Sequence, residues 1–137
     1  MICTSFLAPH QQLIYDRRIK FPASLQSKLN DLDNVGESLI RKSKKLGKVY
    51  IVTNAAEGWV ELSAKRFLPR VFAELKSDVT IISAREKYER LYPRNFQKWK
   101  VEAFLDTRKD LDSKAITNIV ALGDNVFEIE AALILGK

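Results

Sequence analysis

The sequence predicts an α/β fold: a three-layer sandwich in which helices cover both faces of a parallel sheet. Three short apolar runs, 49–53, 78–83 and 116–122, have the β-branched composition of strands buried on two sides. They alternate with longer segments whose apolar residues recur at helical spacing. Strand and helix in strict alternation imply right-handed crossovers, with the strand ends gathered along one edge. At 137 residues the chain has the length of one domain.

The first helix is signalled by Pro22 and Ser24. Leu25, Leu29, Leu32, Leu39 and Leu46, with Val35 and Ile40, form its apolar stripe. Gly36 weakens it, and Gly47 ends it as a left-handed cap. After the strand at 49–53 comes a second helical pattern, Trp59, Leu62, Phe67, Val71 and Leu75, which Pro69 should break near Phe67. Residues 85–94 read as a charged loop. A third helix is expected from about Asn95 to Lys109, with Phe96, Val101, Phe104 and Leu105 inward. Gly123-Asp124 ends the third strand, and a last helix covers 125–135 with Gly136 as its cap. Residues 1–23 read as irregular, apart from a short strand at 2–7.

Composition narrows the functional classes. The chain is 46% hydrophobic and 29% charged, with five Gly and four Pro, which excludes disordered and low-complexity classes. No apolar run approaches the roughly 20 residues of a membrane span, so no membrane partner is expected. Residues 1–9 lack the basic start and cleavage site of a secretory signal. One cysteine, Cys3, cannot form an internal disulfide, which points to a cytoplasmic (intracellular) protein. With His10 the only histidine, a Cys/His zinc site is excluded.

The net charge of +6 suits phosphate-bearing partners, but a solvated basic surface explains it equally simply. The densest run, Arg41 to Lys48, falls in the last turns of the first helix, where cations oppose the negative dipole end. No recognition motif marks a nucleic-acid-binding domain.

Ligands of open parallel sheets bind beyond the carboxyl ends of the strands. Three positions there carry chemistry. Thr53-Asn54 offers a hydroxyl beside an exposed backbone N–H, an oxyanion binder or simply a polar turn or cap. Asp124, with Glu128 four residues on, suits a magnesium ion, which takes few carboxylates and several waters; a helix-capping aspartate fits as well. Lys100, after Trp99, could neutralise a phosphate between them or be a surface lysine.

Taken in order, a threonine after a strand, a lysine early in a later helix, and Gly-Asp after the next strand resemble motifs two, three and four of the haloacid dehalogenase-like (HAD) superfamily. The resemblance runs over the whole chain. It is closest to a eukaryotic phosphatase-like branch, in segments that here read Cys3-Thr4-Ser5-Phe6-Leu7-Ala8-Pro9, Thr53-Asn54-Ala55-Ala56-Glu57-Gly58-Trp59-Val60-Glu61-Leu62-Ser63-Ala64, Ile82-Ser83-Ala84-Arg85, Trp99-Lys100 and Gly123-Asp124. It implies a Rossmann-like parallel sheet and phosphoryl transfer through an aspartate. Thr53 and the Asn54 amide would bind phosphate, Lys100 would be the catalytic cation, and Asp124 would bind Mg2+ with Glu128 as an outer helper. A phosphorylated small molecule or protein would be the partner.

One part of the pattern is absent. The superfamily's first motif, an apolar strand ending in Asp-x-Asp-x-Thr, supplies the nucleophile and the general acid–base, and in the related branch it precedes the segment matching Ile2-Cys3-Thr4-Ser5. Asp31-Leu32-Asp33 imitates its spelling but lies on a helical stripe, and Asp110-Leu111-Asp112 lies in a polar stretch. The resemblance therefore implies a single domain truncated before residue 1, with a further strand expected after residue 137. Such a sheet is incomplete, and the chain as given should be inactive. It also makes the lost strand the central one, between those carrying motifs two and four. The gap would be filled by residues 2–7, by strand donation from a partner, or in a homo-oligomer. A non-catalytic phosphate-binding or protein-interaction module on the same fold is the alternative function.

Overall fold

A computed structural model describes residues 16, 18–110, 118–123 and 125–136. The short strand expected at 2–7 lies outside these residues. Six helices and two strands occur among those described: α1 (Ala23–Leu46), β1 (Val49–Thr53), α2 (Trp59–Phe67), α3 (Pro69–Leu75), β2 (Val79–Ser83), α4 (Ala84–Tyr88), α5 (Phe96–Asp110) and α6 (Val126–Leu135). The class is mixed α/β, and β1 and β2 form a small parallel sheet. The chain divides into two compact units, residues up to 49 with 58–79, and residues 50–57 with 80 onward.

The first unit is built from α1, α2 and α3, with α3 packed on both of the others. Pro69 removes a backbone donor and breaks the helical run at Leu68, as its position predicts. On α1 the buried face is narrower than the leucine stripe suggests. Leu25, Leu29 and Ile40 are buried, whereas Leu32, Val35, Leu39 and Leu46 are exposed. The buried line passes instead through Asp33, which is only 4% exposed. Its carboxylate accepts the backbone N–H groups of Arg70 at 3.1 Å and Val71 at 2.9 Å. These donors open α3 and have no intrahelical partner, so a carboxylate from α1 caps a helix distant in sequence.

Gly36 lies on the same line and does not interrupt α1. A Cβ at this position would stand 2.7 Å from Cγ2 of the fully buried Val71, so glycine sets how closely α1 approaches α3. Gly36→Ala is expected to destabilise the chain by about 1 kcal/mol: the overpacking cost of roughly 1–3 kcal/mol exceeds the ~1 kcal/mol gained in helix propensity. Urea unfolding checks this, and a stabilised variant would show that the two helices part easily.

Gly47 ends α1 in an extended conformation, with φ 163° and ψ −165°, not in the left-handed one predicted. Its N–H still bonds the Ser43 carbonyl at 3.1 Å, so an extended cap closes the helix. Two members of the basic run are held locally. Arg41 Nε lies 2.8 Å and Lys44 Nζ 3.1 Å from the Glu74 carboxylate. Hydrogen bonds from Arg41 and then Lys44 hold the Glu74 carboxyl below its ordinary pKa.

In the second unit Ile82, Ala84, Trp99 and Ala103 form the core, with Tyr50, Val52, Tyr88 and Tyr92 packed against it. Trp99 is anchored by its indole N–H, which donates to the Tyr92 carbonyl at 2.6 Å. Part of the expected charged loop is helix α4, started by a Ser83-x-x-Glu86 cap in which the serine hydroxyl accepts the Glu86 N–H at 3.1 Å. The Tyr88 hydroxyl donates to the Asp106 carboxylate and links α4 to α5. Burial, then this bond, pushes the phenol pKa well above its ordinary value. On α5 the inward residues are Trp99, Lys100, Val101, Ala103 and Thr107; Phe96 is exposed.

The third strand is not formed where the structure describes it. Residues 118–122 are irregular and exposed, with Val120 82% accessible, while 116–117 lie outside the described residues. Ile119, Val120 and Leu122 retain strand composition, but a strand exists only when a neighbour takes its backbone hydrogen bonds. The only described sheet is the β1–β2 pair. Of the expected architecture the described residues show the mixed α/β class and one parallel strand pair.

Candidate functional site

The carboxyl ends of β1 and β2 are tied together by side chains. Thr53 Oγ1 accepts the N–H of Ala55 at 3.0 Å, folding the chain into a tight turn as it leaves β1. The carbonyl of Ala55 accepts from the Ser83 hydroxyl at 2.7 Å. Ser83 thus fixes the turn after β1 and starts α4 with the same oxygen. The Asn54 amide nitrogen donates to the Phe96 carbonyl at 3.0 Å, while its Oδ1 is buried with no partner among the described residues.

Lys100 is drawn into this strand end. It is 4% exposed, far from the solvated state that is commonest for a lysine. Its ammonium donates to the carbonyl of Val52, the residue before Thr53, at 2.9 Å. It also pairs with Glu128 Oε1 at 3.0 Å. α5 and α6 pack side by side, and this contact brings Glu128, in the first turn of α6, to the lysine. Glu128 Oε2 is buried and has no partner among the described residues. The N-cap of α6 is Asn125, whose side-chain oxygen accepts the Phe127 N–H at 3.2 Å.

Thr53, Asn54, Lys100 and Glu128 therefore belong to one unit and gather about the end of β1. Asp124, the expected metal ligand, lies outside the described residues. Among the described residues no three carboxylate, histidine or cysteine side chains come together as a metal site. Of the expected magnesium ligands only Glu128 is described, and one of its oxygens is engaged by Lys100.

The Val52 carbonyl, which any residue type could supply, was not foreseen; Ser83 is marked by its strand-end position and by the resemblance at 82–85, but with no role assigned to its hydroxyl. The two Asp-x-Asp sequences fall elsewhere in the chain order than β1 and β2. Asp31 and Asp33 lie on α1, with Asp33 committed to its cap; Asp110 ends α5, and Asp112 lies outside the described residues.

No helix among the described residues is long and apolar enough to cross a membrane. No family model, curated protein or solved structure matches the chain.

Proposed function

We propose that this chain is a HAD-like domain of phosphohydrolase lineage that binds a phosphorylated small molecule or protein at the end of β1. The observation that carries the reading is the burial of Lys100 with its ammonium on the Val52 carbonyl. A buried cation at the strand end that carries Thr53 is suited to a phosphoryl oxyanion. In this reading Thr53 and Asn54 orient the anion and Lys100 neutralises it. The reaction of this lineage passes the phosphoryl group through an aspartate, with Mg2+ as cofactor. In this reading the chain by itself binds without turning over, because its sequence has no apolar strand ending in Asp-x-Asp-x-Thr.

The sheet supports the same reading. β1 pairs with β2, and the segment leading to Gly123 is exposed and has no strand partner among the described residues. That is the arrangement expected when a central strand belongs between β1 and residues 118–122. The cytoplasm is the compartment consistent with a single cysteine.

A non-catalytic phosphate-binding or protein-interaction module is the second reading, favoured by the occupation of Asp33 as a helix cap. A magnesium-dependent p-nitrophenyl phosphate assay separates the two. The 137 residues alone should show no turnover above buffer. Joining an upstream apolar strand that ends in Asp-x-Asp-x-Thr should create it if the lineage is catalytic, and should not if the module only binds. Robust hydrolysis by the chain alone, abolished by Asp33→Asn or Asp112→Asn, would overturn the assignment of these aspartates.

A further inference from the structure

Glu128 occupies the lysine on which the phosphate reading depends. An ammonium has three donors. In Lys100 one reaches the Val52 carbonyl at 2.9 Å and one reaches Glu128 Oε1 at 3.0 Å. No described residue accepts the third. The side chains of the pair are 5% and 23% exposed, so solvent screens their charges little. Gly123 permits this seating. A Cβ there would lie 2.3 Å from Cβ and 2.8 Å from Cγ of Glu128, a distance no side chain could keep. The result is an electrically balanced site. An arriving oxyanion meets a lysine whose charge is already matched, next to a carboxylate oxygen, Oε2, that has no partner of its own among the described residues.

We propose that Glu128 is an internal counter-ion that competes with phosphate for Lys100, so that anion entry requires the carboxylate to leave the ammonium. Three observations carry this: the shared lysine, the orphaned second oxygen and the glycine that admits the glutamate. The inference rests on the reading of the β1 end as a phosphate site. It adds that the site is held closed by the chain's own carboxylate, and that removing its charge opens the site.

Inorganic phosphate titrated into the full chain tests this, by calorimetry and by carbon NMR of the glutamate carboxylates. Glu128→Gln keeps the shape and an acceptor but removes the charge, and should bind phosphate roughly tenfold or more tightly than the wild type. Adding Lys100→Met should abolish the gain. In the wild type the Glu128 carboxylate resonance should move on saturation with phosphate, which keeps the test readable should Glu128→Gln fail to fold. If binding depends on Lys100 but Glu128→Gln binds no tighter, or the Glu128 resonance stays still, the counter-ion is refuted and the phosphate site stands. If no variant binds phosphate, or Lys100→Met binds as the wild type does, the phosphate site falls and the counter-ion falls with it.

Discussion

Replacing Lys100 by methionine is expected to lower stability by about 2–4 kcal/mol and to remove phosphate affinity. Methionine matches the lysine stem in volume, so the loss is that of the ammonium. It leaves the Val52 carbonyl without this donor and leaves the Glu128 carboxylate unpaired on both oxygens among the described residues. Breaking one side of a buried ion pair costs ~3–5 kcal/mol, and the lower end applies because Glu128 keeps 23% of its side-chain exposure. The double variant Lys100→Met with Glu128→Gln should recover part of the loss, since no charge is then stranded. Urea unfolding of the four proteins measures this as a double-mutant cycle. A Lys100→Met midpoint within experimental error of the wild type would mean that the lysine is solvated and the pair does not persist.

The second large effect is expected at Asp33. Asp33→Ala strips two charge-assisted hydrogen bonds from the start of α3 and leaves the N–H of the buried Val71 unsatisfied. Loss of a cap costs ~0.5–2 kcal/mol and an orphaned buried donor ~1–3 kcal/mol, so about 2–4 kcal/mol in all. Asp33→Asn retains one acceptor oxygen and should cost about half as much. Asp31→Asn, exposed on the same helix, should stay within about 0.5 kcal/mol of the wild type. Thermal or urea unfolding gives the ranking. Equal effects at residues 31 and 33 would contradict the cap, and would reopen the reading of Asp31-Leu32-Asp33 as a functional motif.

The parts of the fold legible in the sequence are those that local chemistry decides. β1 and β2 are runs of β-branched residues, and Pro69 lacks a donor; the cap that Ser83 and Glu86 make for α4 is passed over, and 85–94 reads as a loop, because the many charges there outweigh it. The segment 118–122 has equally good strand chemistry and is not a strand, because pairing belongs to two segments and not to one. The α1 stripe misled for a related reason. Leu25, Leu29 and Ile40 lie on one line with Asp33, and Leu32, Val35 and Leu39 on the next. Hydropathy favours the second line, but the first holds Gly36, where a Cβ would crowd Val71, and the carboxylate that caps α3. Neither contact is visible in the sequence of α1. At the candidate site Thr53, Asn54, Lys100 and Glu128 were each legible as strand-end or early-helix polar residues. That Glu128 would neutralise Lys100 was not, because it follows from the packing of α6 on α5 and from the space left at Gly123.

The central claim, that phosphate binds at the end of β1, is tested most directly by a backbone amide NMR titration of the full chain with inorganic phosphate. The amides of Thr53, Asn54 and Ala55, together with those flanking Lys100 and Glu128, should shift along one saturable curve. Shifts confined to the basic run of Arg41 to Lys48 would show ordinary attraction to a positive surface, and would contradict a phosphate site at the strand end.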